Sequence, residues 1–253
     1  MSFAPVHFAV GSRGEATVVT VTGELNVASY PSLRDGLLKF ATDAPDGLVA
    51  DISGLTIGDP ALVSVFSLIA MRIGDWPGIP FTVVAGEPAK VLLNRHVVDR
   101  YVPVRADLSA AVVALDHPVR RRSHRVFPRA DGSSAQAREF VTAKLTEWAV
   151  PELAEDARFI VTELVENVLT HTTSEPRLRL DLRRGVCTVA VADDDSRPAT
   201  LLERLSPLEP GMGLKLVAQI ARTWGCSRSW AGGKVVWAVL LSPPGTAGDR
   251  PAG

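Results

Sequence analysis

The sequence is poor in the residues that form disulfides, metal clusters and membrane spans. Of its 253 residues only two are cysteines, Cys187 and Cys226, and they have no metal-binding or C-x-x-C spacing. This usage favours buried thiols in a reducing compartment, with a disulfide between the two as the alternative. The longest apolar run, 61–73, is interrupted by two serines and ends at Arg72. It is too short to span a bilayer.

An excess of charge of either sign is also lacking. The chain has 27 Lys and Arg against 28 Asp and Glu, which gives a net charge of −1 and no general attraction to nucleic acid or an anionic membrane. No basic segment followed by an apolar run marks a signal peptide. With 46% apolar and 22% charged residues, the composition is that of a globular protein long enough for two domains. We therefore expect a soluble, cytoplasmic protein that contacts neither nucleic acid nor membrane directly.

The first half alternates between strand and helix patterns. Proline stands in the first turn of two predicted helices, and Asp107 is a plausible cap for the last one. Because strands and helices alternate, the pattern predicts an α/β domain over 1–116, with helices packed against one sheet. The predicted elements are strands 18–25, 47–53 and 79–86 and helices 29–41, 60–73, 87–96 and 107–115.

A charged segment separates the two halves. Residues 117–133 hold two prolines and an arginine triplet without helical periodicity. Such a run is typical of a solvated linker, so we interpret 117–133 as the linker or the start of the second domain. A phosphate-binding arm is the alternative. The tail, 243–253, is rich in proline and glycine and is expected to be disordered.

The second domain is predicted over 134–242, and its elements follow a different order. Two helices come first, then a hairpin that turns at Arg184-Gly185, then a helix stopped by Gly225, and finally a strand pair around Gly232-Gly233. The predicted ranges are helices 134–150 and 154–172, hairpin 176–195, helix 213–225 and strand pair 226–241.

One helical stretch carries an unusual polar stripe. In E-L-V-E-N-V-L-T-H, residues 163–171, the side chains of Glu163, Asn167 and His171 are four residues apart and share one helix face. Leu164 and Val168 form an apolar stripe beside them. A polar stripe next to a buried one is either a solvated face or the floor of a binding site.

Two further features complete a set suited to a nucleotide. A buried strand ends in three aspartates from Asp193 onward, and G-M-G at 211–213 opens a helix. Amide and carboxylate oxygens can hold Mg²⁺, and backbone N–H groups at a helix N-terminus bind phosphate. Each feature alone has an ordinary explanation: a solvated face, a capping aspartate or a glycine turn. Their order and spacing together are much more specific.

On these residues, the region from about 123 to 241 resembles the ATPase domain of the GHKL superfamily, and within it the anti-sigma factor serine kinases. Their first motif, E-L-x-x-N-A-x-x-H, is similar to 163–171 here. The resemblance implies an α/β sandwich, with helices on one face of a mixed sheet, and a mobile ATP lid over 196–210. It implies these roles: Glu163 as the general base that activates a serine hydroxyl, Asn167 as the Mg²⁺ ligand, Asp193 as the adenine contact, and Gly211, Gly213 and Leu214 as nucleotide-binding residues at the end of the lid.

The sequence departs from that family at the second motif. The family pattern is D-x-G, whereas Asp193 is followed here by Asp194, Asp195 and Ser196. Additional negative charge near a triphosphate is unfavourable unless it is screened, so we expect a modest affinity for ATP. His171 is expected to pack within the motif rather than to accept phosphate.

The first half, about 5–115, resembles a STAS domain, the fold of anti-sigma factor antagonists. The resemblance is carried by V-T-V-T-G-E-L-N at 19–26 and by the segment G-L-V-A-D-I-S-G-L-T-I-G-D-P-A-L at 47–62. Family members carry a phosphorylated serine at a helix N-terminus, where Ala61 stands here, and an aspartate where Asn26 stands. The domain is therefore expected not to be phosphorylatable. Ser64 and Ser67 are expected to be buried and are not proposed as substitutes.

Three functions remain open. The first is an ATP- and Mg²⁺-dependent protein serine kinase, an anti-sigma factor acting on a separate STAS antagonist, with its own STAS domain as modulator. The second is a weak or inactive binding module that sequesters a sigma factor or an antagonist. The third is a plain ATP hydrolase. Docking of the STAS domain on its own C-terminal half and homodimer formation are further expectations.

Overall fold

The computed structural model describes residues 5–43, 46–115, 120–197 and 213–242. The chain divides into two compact units, Met1–His117 and Pro118–Gly253, and each is described by itself. Within these described ranges, no helix is both long and apolar enough to cross a membrane.

The N-terminal unit is built on a five-stranded sheet of order β1-β2-β3-β4-β5. Strand β1 is antiparallel to β2, and the remaining pairs are parallel. The pattern analysis missed β1, which is exposed along most of its length, and β5, which has only two residues. The elements are β1 His7–Arg13, β2 Ala16–Leu25, α1 Tyr30–Thr42, β3 Gly47–Ile57, α2 Val65–Asp75, β4 Phe81–Val84, α3 Glu87–Arg95, β5 Val104–Arg105 and α4 Leu108–Val113.

Helices cover both faces of this sheet, and strand alternation explains the division. Neighbouring side chains on a strand point to opposite faces. Val83 of β4 therefore joins the main core beneath α1, α2 and α3, while Val84 joins a smaller cluster beneath α4. The predicted cap of α4 is confirmed, because the Asp107 carboxylate accepts a hydrogen bond of 2.8 Å from Ala110 N. The predicted α/β character of this half is likewise confirmed.

The entry to α2 corrects one expectation from the sequence. Residues Pro60–Ser64 form a 3-10 turn before α2 rather than its first α-helical turn. In a 3-10 turn, side chains three residues apart lie above one another. Ser64 is consequently exposed like Ala61, and its hydroxyl donates to Ala61 O at 3.0 Å. The expectation that Ser64 is buried was wrong, whereas Ser67 is half-buried.

The C-terminal unit has a second five-stranded sheet, of order β6-β7-β8-β10-β9. Every strand pair described in it is antiparallel, so the expected mixed sheet is not found there. Helices α5, α6 and α7 share one apolar core with the inward face of β7, β8 and β10. The elements are β6 Arg121–Val126, α5 Ser133–Glu147, α6 Ala154–His171, β7 Arg177–Arg183, β8 Val186–Asp193, α7 Gly213–Ile220, β9 Thr223–Arg228 and β10 Lys234–Leu241.

Residues 117–133 were interpreted as a linker or as the start of the second domain, and strand β6 in this segment belongs to the C-terminal unit. The arginine-rich run pairs along its whole length with β7. Arg122 lies opposite Asp181 in this register, and its Nε donates to the Asp181 carboxylate at 2.8 Å. Arg120 and Arg179 contact the same carboxylate at 3.1 Å. Arg120 and Arg122 thus share one carboxylate on the neighbouring strand, which the local composition does not reveal.

Strand β9 corrects the predicted end of the preceding helix. Helix α7 ends at Ile220, and Thr223–Arg228 forms a strand paired with β10. Gly225 lies opposite Trp237, and a Cβ added to it would come within 2.6 Å of Trp237 Cζ2. This glycine therefore admits a tryptophan ring over the strand and is not a helix stop. The two hairpins, at Arg184-Gly185 and Gly232-Gly233, form as predicted.

Candidate functional site

Helix α6 presents the predicted polar stripe beside its buried face. Leu164, Val165 and Val168 are at most 2% exposed and belong to the core. Glu163 and Asn167 are half-buried, one turn apart on the same side of the helix. The stripe is therefore a border between the core and solvent, since the last member, His171, is exposed.

The Glu163 carboxylate lies against the first residue of α7. A Cβ added to Gly213 would overlap the Glu163 carboxylate, so a larger residue at this position would require the Glu163 side chain to shift. Two of the predicted site residues, which are 50 positions apart in the sequence, are thereby brought together at the N-terminus of α7.

The surroundings of Glu163 favour its neutral form. Partial burial raises the pKa of the Glu163 carboxyl above its usual value, and repulsion from Glu166 raises it further. Desolvation disfavours a charged carboxylate, and a like charge on the next turn adds to the effect. A raised pKa suits a group that takes up a proton during a reaction.

Each aspartate at the end of β8 has its own cation. The predicted excess of negative charge at 193–195 is therefore compensated within the unit. The three ion pairs are Asp193 with Lys234 at 3.0 Å, Asp194 with Arg177 at 2.7 Å and Asp195 with Arg197 at 2.7 Å. Hydrogen bonds from the side chain and backbone of Arg197 hold the pKa of Asp195 well below its usual range.

The Asp193–Lys234 pair is the buried one. The two side chains are 1% and 7% exposed, and Asp193 Oδ1 accepts both Lys234 Nζ at 3.0 Å and Asp195 N at 2.7 Å. Lys234 Nζ also donates to Asp195 O at 3.3 Å. The pattern analysis missed Lys234, although its place directly after the Gly232-Gly233 turn, at the start of the strand beside β8, was a usable signal.

The remaining predicted nucleotide contacts have different outcomes. Leu214 is half-buried and packs against the core of the C-terminal unit. Gly211 and most of the predicted lid, 198–210, lie outside the described residues.

The residues of the stripe suit Mg²⁺ bound through a substrate. Within the described ranges, no group of three or more His, Cys, Asp and Glu side chains forms a ready-made metal cage. Mg²⁺ typically takes one or two protein oxygens and completes its shell with water and phosphate. The amide oxygen of Asn167 and the carboxylate of Glu163, one turn apart on α6, are donors of this kind.

A cavity of about 540 Å³ opens beside the C-terminal end of α6. It is lined by the C-terminal end of α6, the following loop, the residues after β8 and Arg129 from the loop between β6 and α5. Among the residues that the structure describes, no predicted site residue lines it, but its lining includes His171 of the polar stripe and Asp194 next to Asp193.

In the N-terminal unit, the position matched to a phosphoacceptor is exposed and without a hydroxyl. Ala61 N donates to the Asp59 carboxylate at 2.9 Å, so the turn is capped by the preceding aspartate. Asn26 is buried, and its Oδ1 accepts the N–H groups of Ala28 and Ser29 at 3.0 Å each. Asn26 therefore helps to fix the loop before α1.

Comparison with known families and curated proteins gives no assignment. No family model matches the chain. No curated protein matches it either.

Solved structures match its N-terminal part. An anti-sigma factor antagonist from Mycobacterium paratuberculosis is 24% identical, with 44% of this chain and 93% of that chain covered and a TM-score of 0.39. A Moorella thermoacetica RsbS variant is 26% identical, with 42% and 92% covered and a TM-score of 0.35. The antagonist SpoIIAA in its unphosphorylated form is 16% identical, with 41% and 92% covered and a TM-score of 0.33. With TM-scores below 0.5, these likenesses carry no argument about function.

Proposed function

We propose that the chain is a regulator of sigma-factor partner switching whose C-terminal unit binds Mg²⁺-ATP and phosphorylates a serine of a STAS antagonist. The observation that carries the proposal is the contact of the Glu163 carboxylate with Gly213, on a helix that offers Asn167 one turn further on. A carboxylate, an amide oxygen and a helix N-terminus are the groups that phosphoryl transfer uses for base, metal and phosphate. The N-terminal unit would act as a STAS-like modulator that cannot be phosphorylated at Ala61.

In this proposal the side chains of α6 do the positioning and proton transfer. The serine oxygen attacks the γ-phosphorus, its proton passes to the Glu163 carboxylate, and the bond between the γ-phosphorus and the β–γ bridging oxygen breaks to release ADP. Bound Mg²⁺ supplies neutralisation of the charge on the phosphate oxygens, and Asn167 holds it. The raised pKa of Glu163 is consistent with its taking up that proton.

The three ion pairs after β8 remove one objection to ATP binding. Unpaired aspartates beside a triphosphate would repel it, but Asp193, Asp194 and Asp195 are each neutralised by a cation. Asp193 Oδ1 already accepts two hydrogen bonds. An adenine amine would therefore bond to Oδ2.

The binding module remains a second candidate because of Lys234. The buried ammonium group of Lys234 binds the Asp193 carboxylate, which would otherwise be free to contact the adenine. If this pair excludes nucleotide, the unit would sequester a sigma factor or an antagonist without catalysis.

Calorimetry of Mg²⁺-ATP binding to the full chain separates the two candidates. We expect binding by the wild type, loss of binding in Asn167→Ala, and wild-type binding in the control Asn94→Ala, an exposed asparagine of the N-terminal unit. Absence of ATP binding by the wild type would contradict the kinase and favour the binding module.

Transfer is then tested with a serine placed at the exposed turn. In Ala61→Ser, labelled γ-phosphate should be incorporated, whereas the wild type should remain unlabelled. Adding Glu163→Gln should abolish incorporation and leave ATP binding unchanged. Equal labelling with and without Glu163 would rule out this carboxylate as the base.

A further inference from the structure

The cavity beside the candidate site has an unequal distribution of charge on its walls. It is lined by two arginines, two aspartates and the hydroxyl-bearing residues Thr170 and 172–174. Arg197 is bound to Asp195 through three contacts of 2.7 to 3.1 Å, and Asp194 is bound to Arg177 at 2.7 Å. Of the charged lining residues, Arg197, Asp195 and Asp194 are therefore each held in an ion pair.

Arg129 differs from the other charged residues of the cavity. Its side chain is exposed at the wall, and no ion pair to it occurs among the residues that the structure describes. An arginine guanidinium presents several N–H donors in a planar fork that matches phosphate oxygens. Counting only the described residues, the cavity thus has an arginine without an ion pair and a row of hydroxyl groups.

The C-terminus of α6, which lines the cavity, repels an anion less strongly than an uncapped helix C-terminus would. Helix C-termini carry partial negative charge on their last carbonyls. Arg197 Nη2 lies 3.5 Å from His171 O, and the side chain of Thr172 donates to Val168 O at 2.9 Å. Both contacts cap these carbonyls from within the unit.

The cavity is also adjacent to the proposed nucleotide site through two elements. His171 continues the stripe of Glu163 and Asn167 on α6, and Asp194 follows Asp193 on β8. A nucleotide that contacts Asn167 on α6 and Asp193 on β8 would therefore lie next to the cavity.

We propose that this cavity binds phosphate groups of the nucleotide and that Arg129 is their contact residue. The proposal rests on the proposed function and adds a binding residue 34 positions before Glu163, in the segment that the sequence pattern marks as a linker or the start of the second domain.

The test compares ligands that differ only in their phosphates. Calorimetry on the full chain with Mg²⁺-ATP, ADP, AMP and adenosine is repeated for Arg129→Ala and for Arg129→Lys. We expect Arg129→Ala to weaken ATP binding about tenfold or more, because it removes a charge-assisted hydrogen bond to a phosphate oxygen. The loss should decrease with the number of phosphates and vanish for adenosine, and Arg129→Lys should recover part of the affinity.

Controls separate this proposal from the one on which it rests. Arg95→Ala removes an exposed arginine of the N-terminal unit and should change nothing. Inorganic phosphate should compete with ATP on the wild type and not on Arg129→Ala. If the wild type binds no nucleotide, the proposed function fails. If it binds ATP and Arg129→Ala binds ATP equally well, or loses adenosine to the same degree, the assignment of Arg129 fails alone.

Discussion

The buried pair of Asp193 and Lys234 allows a quantitative prediction. Replacing Lys234 by methionine removes the ammonium and leaves a carboxylate that is 1% exposed without its cation. Breaking a buried pair from one side costs about 3–5 kcal/mol, because the remaining charge stays desolvated. For a urea dependence of about 2 kcal/mol per M, the unfolding midpoint should fall by about 2 M.

The same substitution in an exposed pair is the matched control. Lys144 contacts Glu147 at 2.7 Å, but the two side chains are 30% and 59% exposed. Exposed pairs of this kind contribute about 0–1 kcal/mol, so Lys144→Met should barely shift the midpoint. The double variant Asp193→Asn with Lys234→Met removes both buried charges and should recover most of the lost stability, since it leaves no unpaired ion.

Urea unfolding of the full chain, followed by tryptophan fluorescence, measures these changes. Trp76 is in the N-terminal unit and the other tryptophans are in the C-terminal unit, so the signal reports mainly on the unit that holds the pair. Equal midpoints for Lys234→Met and Lys144→Met would refute the argument that burial makes the Asp193 pair essential. A double variant as unstable as Lys234→Met alone would show that packing, not charge, is responsible.

Three further predictions concern single positions. Glu166→Gln should lower the pKa of Glu163, because it removes a neighbouring negative charge. Since Glu163 acts as a base only when it is deprotonated, the acid limb of the pH profile of phosphate transfer should move to lower pH. An acid limb that does not move would contradict Glu163 as the general base. Gly225→Val should lower stability by about 1–3 kcal/mol in thermal unfolding, because its side chain would collide with the ring of Trp237; unchanged stability would mean that the ring moves freely. Asp107→Ala should cost about 1 kcal/mol through loss of the helix cap, and an asparagine at this position should restore it.

Local patterns were sufficient where one element determines its own structure. Helix α6 was predictable because its apolar residues recur at helical spacing, and the turn at Arg184-Gly185 because two positive φ angles are required there. The polar stripe of Glu163 and Asn167 was visible for the same reason.

Local patterns failed where the stabilising partner is distant in the sequence. Residues 117–133 were not recognised as holding a strand, because Asp181, the ion-pair partner of Arg122, lies 59 residues further along the chain. Lys234 was missed because its partner Asp193 is 41 residues away. Gly225 was taken for a helix stop because the ring of Trp237 that requires it lies on the next strand. In each case the deciding contact is made by sheet pairing.

The position of β6 has a consequence for the behaviour of the protein at high concentration. Within the described residues β6 pairs only with β7, so it is an edge of its sheet and its outer backbone groups could template another chain. Arg121 and Arg125 are exposed on this edge, and two copies brought edge to edge would place like charges against each other. The arginine run thereby protects the sheet against self-association, and the protection should weaken as added salt screens it.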